Sequence, residues 1–161
     1  MIGKIFILAT FILSIGNISE VKNEYHKEFY ETGNAKAQGW VKDGIKTGYW
    51  RFYHTNGKLS EKGHFANNER SAFWYFYSKK GKLLEEGYYK NGTKADWWLF
   101  YDAFGNVNHK CQLSHGKKNG YCCMYKNNDI VKAKKYQDGK RVKTWSSFRS
   151  FRKENKLSDL R

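Results

Sequence analysis

Gly48-Tyr49-Trp50-Arg51-Phe52-Tyr53, Ala72-Phe73-Trp74-Tyr75-Phe76-Tyr77 and Asp96-Trp97-Trp98-Leu99-Phe100-Tyr101 are three versions of one string, and successive versions are 24 residues apart. A fourth, Gly120-Tyr121-Cys122-Cys123-Met124-Tyr125, keeps the step of 24. A degraded fifth, Lys143-Thr144-Trp145-Ser146-Ser147-Phe148, follows after 23, and Tyr25–Tyr30 is a half-copy in front. A fixed period of this kind marks a repeat architecture, in which no unit buries its apolar face alone. Within each string the large side chains alternate with period two, and glycine interrupts about every dozen residues. Period two belongs to strands, and such frequent glycine leaves no room for helices.

Turn residues recur at the same period. Gly33, Gly57, Gly81 and Gly105 follow the aromatic strings, while Gly44, Gly92, Gly116 and Gly139, with Asn68 in the equivalent place, fall in the second half of each unit. Glycine and asparagine tolerate the positive φ that tight hairpins require, and Asn56-Gly57 is a strong hairpin signal. Each unit therefore reads as strand, turn, strand, turn. The expected fold is all-β: an elongated antiparallel array of about five β-hairpin units of 23–24 residues, closed by a short C-terminal helix. Neighbouring strands about 4.8 Å apart give a rise of roughly 9–10 Å per unit.

Alternation divides the strings between two faces. Trp50, Phe52, Trp74, Phe76, Trp98, Phe100 and, in the degraded copy, Trp145 form the expected structural ladder. Tyr53, Tyr77, Tyr101 and Tyr125 lie on the other face and are the candidate binding surface, since a phenol tolerates water while presenting an apolar ring. Beyond the last string, Phe148, Phe151, Leu157 and Leu160 sit among Arg149, Arg152, Lys153 and Lys156, a pattern expected to cap the last strand edge.

Met1–Ile15 has one positive charge, Lys4, before an apolar run, with Ser14 and Gly16 as small residues ahead of Asn17. That is the layout of a secretory signal peptide. The reading divides the chain into a signal peptide at 1–16, a repeat domain at 17–148 and a basic cap or tail at 149–161, and it places the mature protein in the periplasm or outside the cell.

The formal charge is +15, and residues 110–161 hold 15 basic residues against 4 acidic ones. Lys132, Lys134, Lys135, Lys140, Arg141, Lys143, Arg149, Arg152 and Lys153 form the candidate basic patch. Such a region attracts anionic partners, with acidic lipid or glycan suiting an exported chain better than nucleic acid. A solvated face that keeps an aromatic sheet soluble explains the charge equally well.

The strings with their Gly-Lys-Leu continuations, Asn56-Gly57-Lys58-Leu59 and Gly81-Lys82-Leu83, resemble the MORN repeat over residues 25–148. The closer likeness is to the bacterial MORN variant of the YwqK-family antitoxins. The resemblance implies an antiparallel hairpin ribbon that scaffolds or binds proteins and, in some members, contacts acidic lipid. Its antitoxin label implies a cytoplasmic partner, whereas the leader points to an immunity-like or envelope role.

The fourth unit departs from the pattern. Cys122 stands where the others have Trp, and Cys111 stands where Gly63 and Gly87 stand. In an oxidising compartment a bridge from Cys111 to Cys122 or to Cys123 is one reading, and free buried thiols are another. A metal set of His109, Cys111, His115, Cys122 and Cys123 matches no standard spacing. No phosphate loop, nucleophile elbow or zinc-protease motif occurs, the carboxylates are scattered, and neither a catalytic residue nor a cofactor site is expected. The sequence thus points to a non-catalytic module with a protein partner, self-association included. The alternative is a peripheral binder of acidic lipid or glycan.

Overall fold

A computed structural model describes residues 22–160. The expected signal peptide lies outside the described residues. They form one antiparallel sheet of eleven strands in simple sequence order. The strands are β1 (Asn23–Phe29), β2 (Ala35–Lys42), β3 (Ile45–Tyr53), β4 (Leu59–Ala66), β5 (Glu69–Tyr77), β6 (Leu83–Lys90), β7 (Thr93–Tyr101), β8 (Val107–Ser114), β9 (Lys117–Lys126), β10 (Asp129–Gln137) and β11 (Lys140–Trp145). A helix, α1 (Phe148–Arg152), and a 3-10 turn, Leu157–Leu160, follow.

Two kinds of turn alternate. At Asp43-Gly44, Asn67-Asn68, Asn91-Gly92 and His115-Gly116 both central residues have positive φ, the two-residue hairpin whose twist matches its strands. At Asn56-Gly57 only Gly57 does, with φ of 77°. There Gly57 N donates to His54 O, and His54 N donates to Lys58 O at 2.7 Å, a longer loop closed by a left-handed glycine.

Each aromatic string opens on a bulge. Gly48, Ala72, Asp96 and Gly120 occupy equivalent positions, and all four have positive φ, from 57° at Ala72 to 104° at Gly120. The bulge frees a backbone carbonyl, which the following tryptophan uses. Trp50 Nε1 donates to Trp40 O at 2.9 Å, Trp74 Nε1 to His64 O at 3.0 Å and Trp98 Nε1 to Tyr88 O at 3.1 Å. The three indoles are fully buried although the sheet is a single layer.

Glycine makes that burial possible. Gly39, Gly63 and Gly87 stand opposite Trp50, Trp74 and Trp98 on the preceding strand. A Cβ at any of these glycines would overlap the indole ring. From above, Lys46 Nζ lies 4.6 Å from the Trp50 ring, Arg70 Cζ 4.5 Å from Trp74 and Lys94 Nζ 3.9 Å from Trp98. Between indoles, Phe52 stacks 6.3 Å from Trp74 and Phe76 lies 6.0 Å from Trp98. Phe65 and Tyr89 pack edge-on against Trp74 and Trp98. The expected ladder from Trp50 to Phe100 is thus a continuous aromatic stack, and its stability spreads along the array.

Trp145 is not part of that stack. It pairs with Ala133, which pairs with Cys123, whereas the ladder face continues from Trp98 through Cys111 to Cys122. The step of 23 explains the difference, because an odd shift turns every side chain to the opposite face. Trp145 instead forms a second core with Cys123, Ala133 and Phe151 on the Tyr face. Phe148 does not extend the last strand. It opens α1, for which Ser147 is the N-cap: its hydroxyl accepts from Ser150 N at 3.1 Å. The cap packs across the end of one face: Phe151 lies edge-on against Tyr121 and Trp145, and Tyr121 Oη donates to Asn155 Oδ1.

Candidate functional site

On the Trp face the ladder leaves an open groove of about 550 Å³, lined by Phe76, Phe100, Leu84, Glu61 and Glu85, with His54, Ser60 and Tyr77 at its margin. The bulges that begin each string bury the tryptophans, while the phenylalanines two residues on stay only partly covered. Leu84 is 46% exposed. The groove walls are charged but internally compensated. Arg70 donates to both oxygens of Glu61 at 2.7 and 2.8 Å, and Lys94 Nζ lies 2.6 Å from Glu85. Burial raises the Glu61 pKa above its ordinary value, against the opposing pull of Arg70. The site is an apolar floor between two ion-paired walls, suited to an apolar side chain or an extended segment.

The Tyr ladder is less open than its spacing suggests. Tyr53, Tyr77, Tyr101 and Tyr125 are all half-buried. Tyr53 Oη accepts from Gln38 Nε2 at 2.6 Å, and Tyr101 Oη donates to Glu86 at 2.6 Å. Burial, then that Glu86 contact, pushes the Tyr101 pKa well up. Tyr125 packs into the Trp145 cluster. The more exposed aromatics of this face are Tyr25 with Trp40 and Phe73 with Tyr88, paired across neighbouring strands and 40 to 48% exposed. Their signal was present in the same 24-residue period, at positions 40, 64 and 88 of the polar strands.

The structure joins Cys111 to Cys122 and leaves Cys123 free and buried. Alternation sends Cys123 to the other face, where burial pushes its thiol up to about 11. Such a thiol is a poor nucleophile at neutral pH. The five residues weighed as metal ligands do not converge: two sulfurs are bonded to each other, the third is across the sheet, and His115 is in a turn. Among the described residues no group of three or more His, Cys, Asp or Glu could hold a metal ion.

The basic residues divide instead of forming one patch. Lys134 lies opposite Cys122 and Lys132 opposite Met124, on the Trp face, whereas Lys135 and Lys143 are on the Tyr face. Lys143 pairs with Glu154, which also accepts from Trp145 Nε1. Lys140 and Arg141 follow the Asp138-Gly139 turn, and Arg149, Arg152 and Lys153 line a separate hollow with Phe148.

No protein-family model matches the chain. No curated protein matches it either. Among solved structures it is similar to a chain of accessory secretory protein 1, 2 and 3 from Streptococcus pneumoniae, with 17% identity over 74% of this chain and 22% of that one, at a TM-score of 0.38. It is also similar to a chain of the glycosylation-associated protein (Gap123) complex from Streptococcus agalactiae, with 16% identity over 84% of this chain and 24% of that one, at a TM-score of 0.42. The chain spans less than a quarter of either.

Proposed function

We propose that the chain is an exported, MORN-like, non-catalytic repeat module that binds a protein partner. The observation that supports this best is the groove over Phe76, Phe100 and Leu84. Its floor is apolar, and its flanking carboxylates are already paired with Arg70 and Lys94. An open apolar strip of this kind marks a surface for another macromolecule better than a pocket for a small substrate, which is normally enclosed on most sides. The repeat strings and the apparent leader support the MORN-like and exported parts of the reading, with an immunity-like or envelope role.

The test is capture from envelope extract by the purified chain, beside a Leu84→Glu variant. Leu84 is exposed enough for this change to leave the fold intact. One protein retained in near-equal amount by the wild type and lost by the variant supports the reading. Retention of lipid or mixed polyanions alone, vanishing as salt rises, replaces it with an electrostatic surface-binder.

A further inference from the structure

Repetition supplies an internal control. Units two and three each carry a cation and an acid on the Trp face, nine residues apart. Arg70 stands opposite Phe65 and binds Glu61, while Lys94 stands opposite Tyr89 and binds Glu85. In unit four the cation is retained in register, Lys118 standing opposite Leu113, with its Nζ 5.3 Å from the Tyr136 ring. The acid is not. His109 takes its place, stacked on the Phe100 ring at 4.4 Å and 8°. Phe100 also floors the groove.

Among the described residues no carboxylate replaces the missing one. Lys134 of β10, opposite Cys122, is the next charged group on this face, and Met124 of β9 stands opposite His109. Burial and the charges of Lys118 and Lys134 lower the His109 pKa, so the imidazole is largely neutral at pH 7 and has an N–H to donate. Asp129, the first residue of β10, is the sole acid in β8 to β11. Among the described residues neither Lys118 nor Lys134 has an ion-pair partner.

We infer that the slot formed by His109, Lys118 and Lys134 receives an aspartate or glutamate side chain of the protein partner, which completes the rung that Glu61 and Glu85 complete from within. This rests on the protein-binding reading and gives the partner a chemistry: an acidic residue next to the apolar segment that enters the groove. A carboxylate is favoured because units two and three hold one in the equivalent place, where unit one has the small Ala37. Charge-assisted hydrogen bonds of this type change affinity by about tenfold or more.

The slot is tested without the partner by following the His109 ring by NMR through its titration, in acetate and in chloride at equal ionic strength. Acetate should raise the His109 pKa relative to chloride. Identical titration in the two salts overturns the inference. Inorganic phosphate giving the same shift at far lower concentration than acetate also overturns it, in favour of a phosphorylated ligand.

The His109→Glu variant restores the rung of units two and three. It should melt higher and hold the captured protein about tenfold more weakly. Capture unchanged in His109→Glu but lost in Leu84→Glu leaves the protein-binding reading standing and removes the carboxylate slot. Failure of the wild type to capture any protein removes the protein-binding reading and the partner with it, while the acetate titration still reports whether the slot takes a carboxylate.

Discussion

Cys122 stands opposite Cys111 in the register slot where Trp98 stands opposite Gly87. Three units fill that slot with an indole lying over a bare backbone. The fourth fills it with a covalent bond across the strands, their Cα atoms 4.0 Å apart. The bridge closes a loop of 11 residues, for which chain-entropy arguments give about 2–3 kcal/mol. Reduction should lower the urea midpoint accordingly. The double change Cys111→Gly with Cys122→Trp should recover most of that loss and make stability indifferent to reductant. A double variant that remains as weak as the reduced protein would show that the two solutions are not equivalent.

Gly63 illustrates how closely sequence and packing are tied. A methyl group there would overlap the Trp74 indole, whose neighbours are themselves aromatic and closely packed. Gly63→Ala is expected to cost about 1–3 kcal/mol, as overpacking of a tight core does. Gly33→Ala would meet nothing within 4 Å but sits at a φ of 82°, so its cost would come from backbone strain alone. Urea unfolding of both variants beside Trp74→Phe separates the two causes, since the smaller ring should rescue Gly63→Ala and leave Gly33→Ala unchanged.

Ala72 carries strain that its equivalents Gly48 and Gly120 avoid. Its φ is 57°, a region that costs an L-residue roughly 1–2 kcal/mol. Ala72→Gly should raise the melting temperature, with a net gain of about 0.5–1 kcal/mol once the extra freedom of the unfolded glycine is subtracted. A lower melting temperature would mean that the alanine methyl makes a packing contact worth more than the strain.

The lowered His109 pKa has a definite sign for stability. A base whose folded pKa lies below its unfolded value of 6.5 contributes stability that is present above 6.5 and is lost as pH falls through the folded value. Melting temperatures measured downward from neutral pH should therefore decline earlier in the wild type than in His109→Gln. Superimposable curves would show that the imidazole is not held neutral by its surroundings.

Most of the architecture was legible because its signals are local. The 24-residue step, the alternating aromatics and the turn glycines each constrain a few neighbouring residues, and all agree. What escaped depends on register. Nothing in the string Ala72-Phe73-Trp74 announces that its first residue is a bulge, since an alanine there looks like an ordinary strand residue. The covering of Tyr53 and Tyr101 comes in part from Gln38 and Glu86, one strand away from the phenols they bind. The groove was hidden for a similar reason: Phe76 and Phe100 look fully packed until the bulges show that each Trp draws in and its Phe does not. Trp145 is a core residue on the other face, and a step of 23 beside steps of 24 is itself the sign of that inversion.

That single missing residue also acts as a terminator. A further hairpin appended 24 residues beyond Trp145 would send its indole to the side already occupied by α1 and would find no glycine track to lie on. Duplication can lengthen this protein from within, between Gly39 and Trp98, where every unit is in phase. Beyond Cys122 the step of 23 puts the next indole out of phase, so the indole track stops there by a change of face and not by any limit on how far such a sheet can grow.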